Sequence, residues 1–243
     1  MGIRKTVEEI RNRKELWWMQ AIDEYFKKQN GVSVPVGVFR PSGISPCMRE
    51  NQYCYAGFAK YPPHHPIAVK SMKRGTEHHK IWEQIFIDAG MNVLSGKDFP
   101  LSHEHPLVRG TPDWLVRHES EIYLFEWKST ANTLDPDWGQ LVQWSTYAYL
   151  LNDCYGIGVN KGWIVKENPI NFGLHPIPML LEEDFVKDLF VNLKIVETSC
   201  DSMEMIRRDD RCGPGGEWKI SCPLYSYCHS EKGDNPWKVK KAS

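Results

Sequence analysis

The sequence lacks a net charge of any size, since 30 Lys and Arg side chains oppose 31 Asp and Glu side chains over 243 residues. It also lacks any run of the ~20 apolar residues that a transmembrane helix needs, and its first residues lack the apolar centre of a secretory signal. No internal repeat and no low-complexity tract is present. These absences argue against a membrane protein and a disordered acidic chain. We therefore expect a soluble, cytoplasmic protein that does not contact a membrane.

The near-zero net charge is an average over three unlike segments. Residues 1–80 carry 14 basic and 7 acidic side chains, residues 81–210 carry 10 and 21, and residues 211–243 carry 6 and 3. A basic segment attracts anionic partners, whereas crowded acidic side chains attract cations. The asymmetry therefore indicates different partners for the N-terminal third and the middle of the chain.

Hydrophobic periodicity predicts a mixture of helices and strands. Apolar residues at helical spacing predict helices over residues 5–29, 47–59, 67–89, 137–151 and 181–208. Apolar runs and alternation predict strands over residues 92–98, 107–117, 122–130, 157–166 and 170–178. This order is that of an α/β sandwich. We expect an N-terminal helical segment, a core and a Cys-rich tail, over residues 1–40, 41–208 and 209–243.

Two acidic side chains face each other in the predicted hairpin. If residues 118–121 form a four-residue loop, the strands pair so that Asp113 lies opposite Glu126. Opposed residues have Cβ atoms ~5 Å apart, and two buried carboxylates at that distance require a proton or a cation. Lys128 points to the same face as Glu126 because side chains alternate along a strand. The pattern favours a divalent cation site, and the alternative is a solvated carboxylate pair with Lys128 as an ordinary ion-pair partner.

Pro112-Asp113, followed by a hairpin and then Glu126-Trp127-Lys128, resembles the signature of the PD-(D/E)XK nuclease superfamily. More narrowly, the chain is similar to RecB-like exonucleases, including the CRISPR-associated RecB-like nucleases. That branch has a Gly-Thr-x-x-His helix before the hairpin and a Gln-x-x-x-Tyr helix after it, matched here by residues 75–79 and 143–147. The resemblance spans about residues 47–228. It implies a restriction-endonuclease-like core, in which helices flank a mixed central sheet.

The resemblance also implies a set of metal ligands. His79, Asp113, Glu126 and the backbone carbonyl of Trp127 would hold Mg²⁺ or Mn²⁺, hard ions that suit oxygen ligands. His78 lies nearer the apolar stripe of the predicted helix, where a packed histidine is the ordinary interpretation. The implied chemistry is metal-assisted hydrolysis of a phosphodiester bond.

Three further side chains complete the implied active site. Lys128 would orient the attacking water and stabilise charge on the phosphate. Gln143 and Tyr147 lie one helical turn apart on a single face, and the resemblance places this pair near the active site and the nucleic acid. The alternative for the pair is a polar helix edge beside a core tyrosine.

Seven cysteines without a secretory signal argue against a disulfide framework and suggest a metal site. The resemblance implies a 4Fe-4S cluster, with Cys47 as its first ligand and Cys222 and Cys228 as its last two. The family has a further cysteine three residues before Cys222, which this chain lacks, so Cys212 is the expected fourth ligand and Cys200 the alternative. Zn²⁺ on the same thiols and packed, reduced cysteines are the competing interpretations.

The resemblance favours an exonuclease that cleaves DNA ends or single strands in recombination, repair or DNA processing, within a bacterial or phage-infected host cytoplasm. No helicase motif is present, so strand opening would need a helicase or recombination partner. Basic and aromatic residues of the N-terminal third could form a groove for phosphates and bases: Arg40, Arg49, Tyr53, Tyr55, Lys60, Lys70, Lys73 and Arg74. The alternatives are a sequence- or structure-specific endonuclease and a non-catalytic nucleic-acid-binding module.

Overall fold

The computed structural model describes residues 36–58, 66–130, 135–168, 170–171, 173–209, 212, 222, 224–230 and 236–237. The chain divides into a smaller unit, residues 1–33 and 62–76, and a larger unit, residues 34–61 and 77–243. The helix predicted over residues 5–29 lies outside the described residues. None of the helices in the described ranges is long and apolar enough to cross a membrane.

Helices and strands alternate along the described ranges. The helices are α1 (Met48–Tyr55), α2 (Pro66–Asp88), α3 (Trp138–Tyr155), α4 (Glu183–Asp201) and α5 (Tyr225–Cys228). The strands are β1 (Asn92–Ser95), β2 (Leu101–Glu104), β3 (Leu107–Gly110), β4 (Trp114–His118), β5 (Glu121–Ser129), β6 (Lys161–Glu167) and β7 (Leu174–Leu180). Of the smaller unit, the described residues are the start of α2, residues 66–76.

The central sheet of the larger unit has five strands in the order β1-β4-β5-β6-β7. Neighbouring strands are antiparallel, except that β5 and β6 are parallel because α3 carries the chain back between them. Strands β2 and β3 pair with each other outside this sheet. The predicted mixed sheet flanked by helices is confirmed, and it is consistent with a restriction-endonuclease-like core.

Different helices cover the two faces of the sheet, because side chains alternate along each strand. One face packs against α3 and α4 through a large apolar cluster that includes Leu115, Leu124, Ile164, Val142, Leu151 and Leu193. The opposite face packs against the second half of α2 through Trp82, Phe86, Trp114 and Trp127. Glu126 and Lys128 follow Leu124 at intervals of two residues, so they point toward the face that α3 covers.

The predicted hairpin register is confirmed, but its loop is shorter than expected. Arg117 pairs with Ile122, as the four-residue loop would require, yet His118 also pairs with Glu121. The turn therefore contains two residues rather than four. Glu119 is the first residue of this turn and has a positive φ of 55°. Glycine or asparagine usually occupies such a position, so the sequence contains no signal for the two-residue turn.

Several predicted element boundaries are wrong. The strand expected over residues 107–117 is two strands, β3 and β4, since Pro112 between them lacks the N–H that a continuous ladder needs. Strand β2 was not predicted, and the 92–98 strand ends at Ser95 in a short 3-10 turn. Gly96 permits this turn, because a Cβ there would lie 1.8 Å from the Pro112 carbonyl oxygen.

The helix expected over residues 137–151 forms and is longer at its C-terminus. Asp137 caps it, since its Oδ1 accepts a 2.9 Å hydrogen bond from the Gln140 N–H, and Gln140 Oε1 accepts one from the Asp137 N–H. The helix ends at Tyr155, followed by Gly156 in the left-handed conformation. This cap fixes the start of the helix that carries Gln143 and Tyr147.

Candidate active site

The two carboxylates of the hairpin are adjacent. The backbone N–H of Asp113, just before β4, donates a 3.2 Å hydrogen bond to Glu126 Oε1. In return, the backbone N–H of Trp127 donates a 2.8 Å hydrogen bond to Asp113 Oδ2. Glu126 is fully buried, whereas 17% of the Asp113 side chain is exposed. The acidic pair therefore has one buried member and one that solvent or a ligand can reach.

Burial dominates the electrostatics of this pair. Burial and, after it, the negative charge of Asp113 raise the pKa of Glu126 to about 8, while Lys128 opposes the shift. Without a cation, the Glu126 carboxyl therefore keeps a proton at neutral pH. A bound cation would favour the ionised form instead.

Lys128 lies beside the buried acid and joins it to α3. Its Nζ donates to Glu126 Oε2 at 3.2 Å and to Gln143 Oε1 at 2.8 Å. Burial alone would lower the pKa of Lys128, but the charges of Glu126 and Asp113 outweigh it and the net shift is upward. The net shift therefore favours the charged ammonium form of Lys128.

Helix α3 contributes an amide and a phenol on one face. Gln143 Nε2 lies 3.5 Å from the Tyr147 hydroxyl oxygen. Burial raises the pKa of Tyr147, and the charge of Glu126 adds to this, so the hydroxyl keeps its proton. Gly110 admits the tyrosine ring, because a Cβ at that residue would lie 2.4 Å from Tyr147 Cε1. The structure thus brings Gln143 to Lys128 and Tyr147 to Gln143.

The adjacent histidines of α2 contact different carboxylates. His79 Nδ1 lies 3.3 Å from Asp113 Oδ1, and 32% of its side chain is exposed. Burial lowers the pKa of His79, but the hydrogen bond and charge of Asp113 outweigh it and the net shift is upward. His78 Nδ1 instead lies 3.1 Å from Glu167 Oε2. Of the two, His79 is the histidine that reaches the acidic pair.

The donor atoms suit a hard divalent cation in chemical type, since they are carboxylates and an imidazole. Adjacent ligands of an octahedral ion with bonds of ~2.1 Å lie ~3.0 Å apart, close to the 3.3 Å between His79 and Asp113. Within the described ranges, no three His, Cys, Asp or Glu side chains already converge on one metal position. Both oxygens of Glu126 accept hydrogen bonds, so this residue would exchange one of them for the cation.

Four cysteines, one near the start of the chain and three in its last fifth, line one cavity. They are the four expected cluster ligands, Cys47, Cys212, Cys222 and Cys228, and Arg49 lines the same cavity. None of these four cysteines forms a disulfide. Burial raises the pKa of Cys47 to about 11, and the nearby Cys212 adds to the shift. The Cys47 thiol therefore keeps its proton unless a metal or cluster replaces it.

The alternative ligand Cys200 lies apart from that cavity. It belongs to α4, where its Sγ lies 4.0 Å from the Gln52 carbonyl oxygen. It is not among the residues that line the cysteine cavity. The geometry therefore favours Cys212 over Cys200 as the fourth thiol of the group.

The predicted nucleic-acid groove is wrong at two of its residues. Arg49 and Tyr53 are buried, and Arg49 Nε donates a 2.9 Å hydrogen bond to the Tyr53 hydroxyl. The Tyr55 ring stacks on Phe39 with centroids 4.6 Å apart, while Arg40 is exposed. Lys60 and the side chains of Lys70, Lys73 and Arg74 lie outside the described residues. Aromatic and basic composition did not distinguish packed side chains from exposed ones.

Sequence reasoning missed a buried carboxylate behind the site. Glu167 Oε2 accepts a 3.0 Å hydrogen bond from Trp127 Nε1 and contacts His78. Burial alone would raise the pKa of Glu167, but hydrogen bonds from Trp127, His78 and Trp82 outweigh it and lower the pKa. Glu167 is the last residue of β6 and lies one position beyond the strand predicted over residues 157–166. Its position near Trp127 follows only from the parallel pairing of β5 with β6, which the sequence did not predict.

Comparison with models of protein families finds no match, and no curated protein matches. Among solved structures, that of SSO0001 has 13% sequence identity and a TM-score of 0.49, covering 88% of this chain and 96% of that chain. The structure of an alkaline exonuclease, LHK-Exo from Laribacter hongkongensis, has 15% identity and a TM-score of 0.46, covering 74% of this chain and 93% of that chain. At these values, the functional argument depends on the site geometry of this chain.

Proposed function

We propose that this chain is a metal-dependent deoxyribonuclease of the PD-(D/E)XK type, which hydrolyses phosphodiester bonds. The observation that carries the proposal is the grouping of Asp113, Glu126 and Lys128 at the β4–β5 hairpin, with Glu126 fully buried. A buried acidic pair favours a cation, and an ammonium group beside that cation suits an anionic phosphate.

The residues that would hold Mg²⁺ or Mn²⁺ are His79, Asp113, Glu126 and the backbone carbonyl of Trp127. The bound ion would polarise the phosphate and lower the pKa of a water molecule. Asp113 and His79 are the partly exposed members, so they face the side from which a phosphate can enter. Glu126 is buried and anchors the site from within the sheet.

The remaining side chains act on the substrate. The Lys128 ammonium group, oriented by Gln143 Oε1, donates to the attacking water and to the negative charge that develops on the phosphate. Gln143 also holds Tyr147, whose hydroxyl keeps its proton and can donate to a phosphate oxygen. The three side chains thus form a row of hydrogen-bond donors beside the carboxylates.

The substrate that we propose is a DNA end or single strand, cleaved exonucleolytically in recombination, repair or DNA processing. Support comes from the helix motifs of the RecB-like branch, since His79 reaches Asp113 and Gln143 reaches Lys128. A helicase or recombination partner would supply the opened strand. The cytoplasm of a bacterium or of a phage-infected host is the proposed compartment.

We further propose a 4Fe-4S cluster on Cys47, Cys212, Cys222 and Cys228. The support is that these thiols share one cavity although they come from opposite ends of the chain. Four thiolates suit a 4Fe-4S cluster and also suit Zn²⁺. Elemental analysis of anaerobically purified protein decides between them: iron with acid-labile sulfide supports the cluster, zinc supports the alternative, and neither metal leaves packed thiols.

The nuclease proposal is tested with end-labelled linear DNA and covalently closed circular DNA, each incubated with Mg²⁺, Mn²⁺ or EDTA. Cleavage of the linear substrate alone, abolished by EDTA and by Asp113→Asn, is the expected result. Nicking of the circle would identify an endonuclease instead. Binding without cleavage under every metal condition would contradict the proposal and identify a nucleic-acid-binding module.

A further inference from the structure

A buried carboxylate that the proposed chemistry does not use joins three elements of the fold. Glu167 ends β6 with none of its surface exposed. Its Oε2 accepts a 3.0 Å hydrogen bond from the Trp127 indole on β5 and lies 3.1 Å from His78 Nδ1 on α2. Burying a carboxylate is costly unless it is well hydrogen-bonded, so a glutamate at this position requires a reason.

Of the two partners of Glu167, Trp127 is itself a proposed metal ligand through its carbonyl, and His78 directly precedes another. Trp127 is fixed at two points, because its indole N–H contacts Glu167 and its backbone N–H donates to Asp113 Oδ2 at 2.8 Å. His78 directly precedes His79, whose Nδ1 lies 3.3 Å from Asp113 Oδ1. A single carboxylate therefore restrains the chain on both sides of the acidic pair.

Besides the hydrogen bonds of His78 and Trp82 to Glu167 and the contact of His79 with Asp113, α2 meets the sheet through aromatic rings. The rings of Trp82 and Trp127 have centroids 4.6 Å apart, and those of Phe86 and Trp114 lie 5.5 Å apart. Such apolar packing tolerates small rotations of a helix, whereas successive side chains of a helix differ in direction by ~100°. His78 and Trp82 of α2 both hydrogen-bond to Glu167, and in this orientation of the helix His79 faces Asp113.

We propose that Glu167 is a positioning residue for the divalent cation site. Through its hydrogen bonds with His78 and Trp127, it sets the positions of His79 and of the Trp127 carbonyl relative to Asp113. These positions in turn set the affinity of the site for its cation. The inference rests on the proposed nuclease function. It assigns to a residue outside the motifs a role in metal affinity, with no contact of its own to substrate or to the ion.

The test measures Mn²⁺ affinity of the full chain by isothermal titration calorimetry, with unfolding by urea as the stability readout. Glu167→Leu keeps the volume but removes the acceptor, and we expect Mn²⁺ affinity to fall about 10- to 100-fold. Glu167→Gln retains one oxygen that can accept both hydrogen bonds, so its affinity should stay within about threefold of the wild type. In cleavage assays, saturating Mn²⁺ should restore much of the rate of Glu167→Leu.

Glu197 provides a matched control, because it is also buried and hydrogen-bonded, to the Leu107 N–H and to Lys194, away from the site. Glu197→Leu should lower stability without weakening Mn²⁺ binding. If Glu167→Leu does not fold, His78→Phe removes one arm of the contact, and it should weaken Mn²⁺ binding several-fold.

Three results would overturn the inference. The first is wild-type Mn²⁺ affinity in Glu167→Leu or His78→Phe, and the second is an equal loss of affinity in Glu197→Leu. The third is that the wild-type chain shows no Mn²⁺ binding that is lost when Asp113 is replaced. This result would overturn the proposed function as well. The first two leave the nuclease proposal intact, so the two failures are distinguishable.

Discussion

Lys128 Nζ lies 2.8 Å from Gln143 Oε1, so a strand of the sheet and the helix that crosses it meet through one charged hydrogen bond. The same ammonium group contacts Glu126 Oε2 at 3.2 Å. It therefore stands between the buried acid and the polar face of α3. This position makes Lys128 the most direct side chain on which to test catalysis separately from metal binding.

We expect Lys128→Met to lower the rate of DNA cleavage about 10²- to 10³-fold, because the transition state loses a positive donor while the apolar stem is kept. Lys161→Met is the matched control, since Lys161 is also paired with a glutamate, Glu121, but lies at the other end of β6. The measurement is the single-turnover rate on end-labelled DNA. Unchanged cleavage by Lys128→Met would remove Lys128 from the active site.

Gly110→Ala tests whether the close contact at Tyr147 matters. A Cβ at residue 110 would lie 2.4 Å from Tyr147 Cε1, so the ring has to move, and overpacking of this kind costs about 1–3 kcal/mol. We expect a lower urea midpoint together with slower cleavage, because Gln143 and Tyr147 share one contact. Gly43→Ala, where a Cβ meets nothing within 4 Å, should change stability by less than about 0.5 kcal/mol.

The sequence was most informative about the hairpin, because strand alternation has an exact period of two. Once Arg117 pairs with Ile122, the opposition of Asp113 and Glu126 follows, and the shorter turn did not change the register. The start of the helix predicted over residues 137–151 was equally readable, since the cap at Asp137 depends on neighbours in sequence. The alternation of side chains along paired strands therefore predicted the acidic pair, and the local sequence predicted where α3 begins.

Contacts between distant segments could not be predicted in the same way. Glu167 meets Trp127 and His78 across 40 and 89 positions of the chain, and no periodic pattern connects these residues. The break in the strand predicted over residues 107–117 depends on Pro112 and on the close approach of Gly96 to the Pro112 carbonyl. Strand propensities of single residues do not include such a contact. The burial of Arg49 depends on a distant segment in the same way, since its Nη1 donates a 3.1 Å hydrogen bond to the Ile206 carbonyl oxygen.

The cysteine group gives a prediction that is independent of catalysis. Cys228→Ala should lower the bound iron well below the ~4 atoms per chain of an intact 4Fe-4S cluster, and it should bleach the visible absorbance. Cys154→Ala is the control, because Cys154 is exposed and does not line the cavity. Equal iron in both variants would contradict Cys228 as a ligand. Wild-type protein without iron would contradict the cluster itself.

The pH dependence of stability reports on the buried acid when divalent ions are removed by EDTA. Burial raises the pKa of Glu126 to about 8, so the folded state holds this proton more tightly than the unfolded chain does. Its contribution to the free energy of unfolding is complete below the ordinary carboxyl pKa. That stabilisation is lost as the pH rises through the pKa that Glu126 has in the folded state. The urea concentration at the unfolding midpoint should therefore decrease as the pH is raised from about 5 to about 8.

Glu126→Gln isolates this contribution, because the amide keeps an acceptor for the Asp113 N–H and cannot ionise. The histidine His79, whose pKa the fold also raises, remains in both proteins. As the pH rises, the urea midpoint of the wild type should therefore decrease relative to that of Glu126→Gln. Mn²⁺ should reduce that advantage in the wild type, since a cation replaces the proton. Parallel pH profiles in EDTA would show that Glu126 ionises as readily in the folded chain as in the unfolded one.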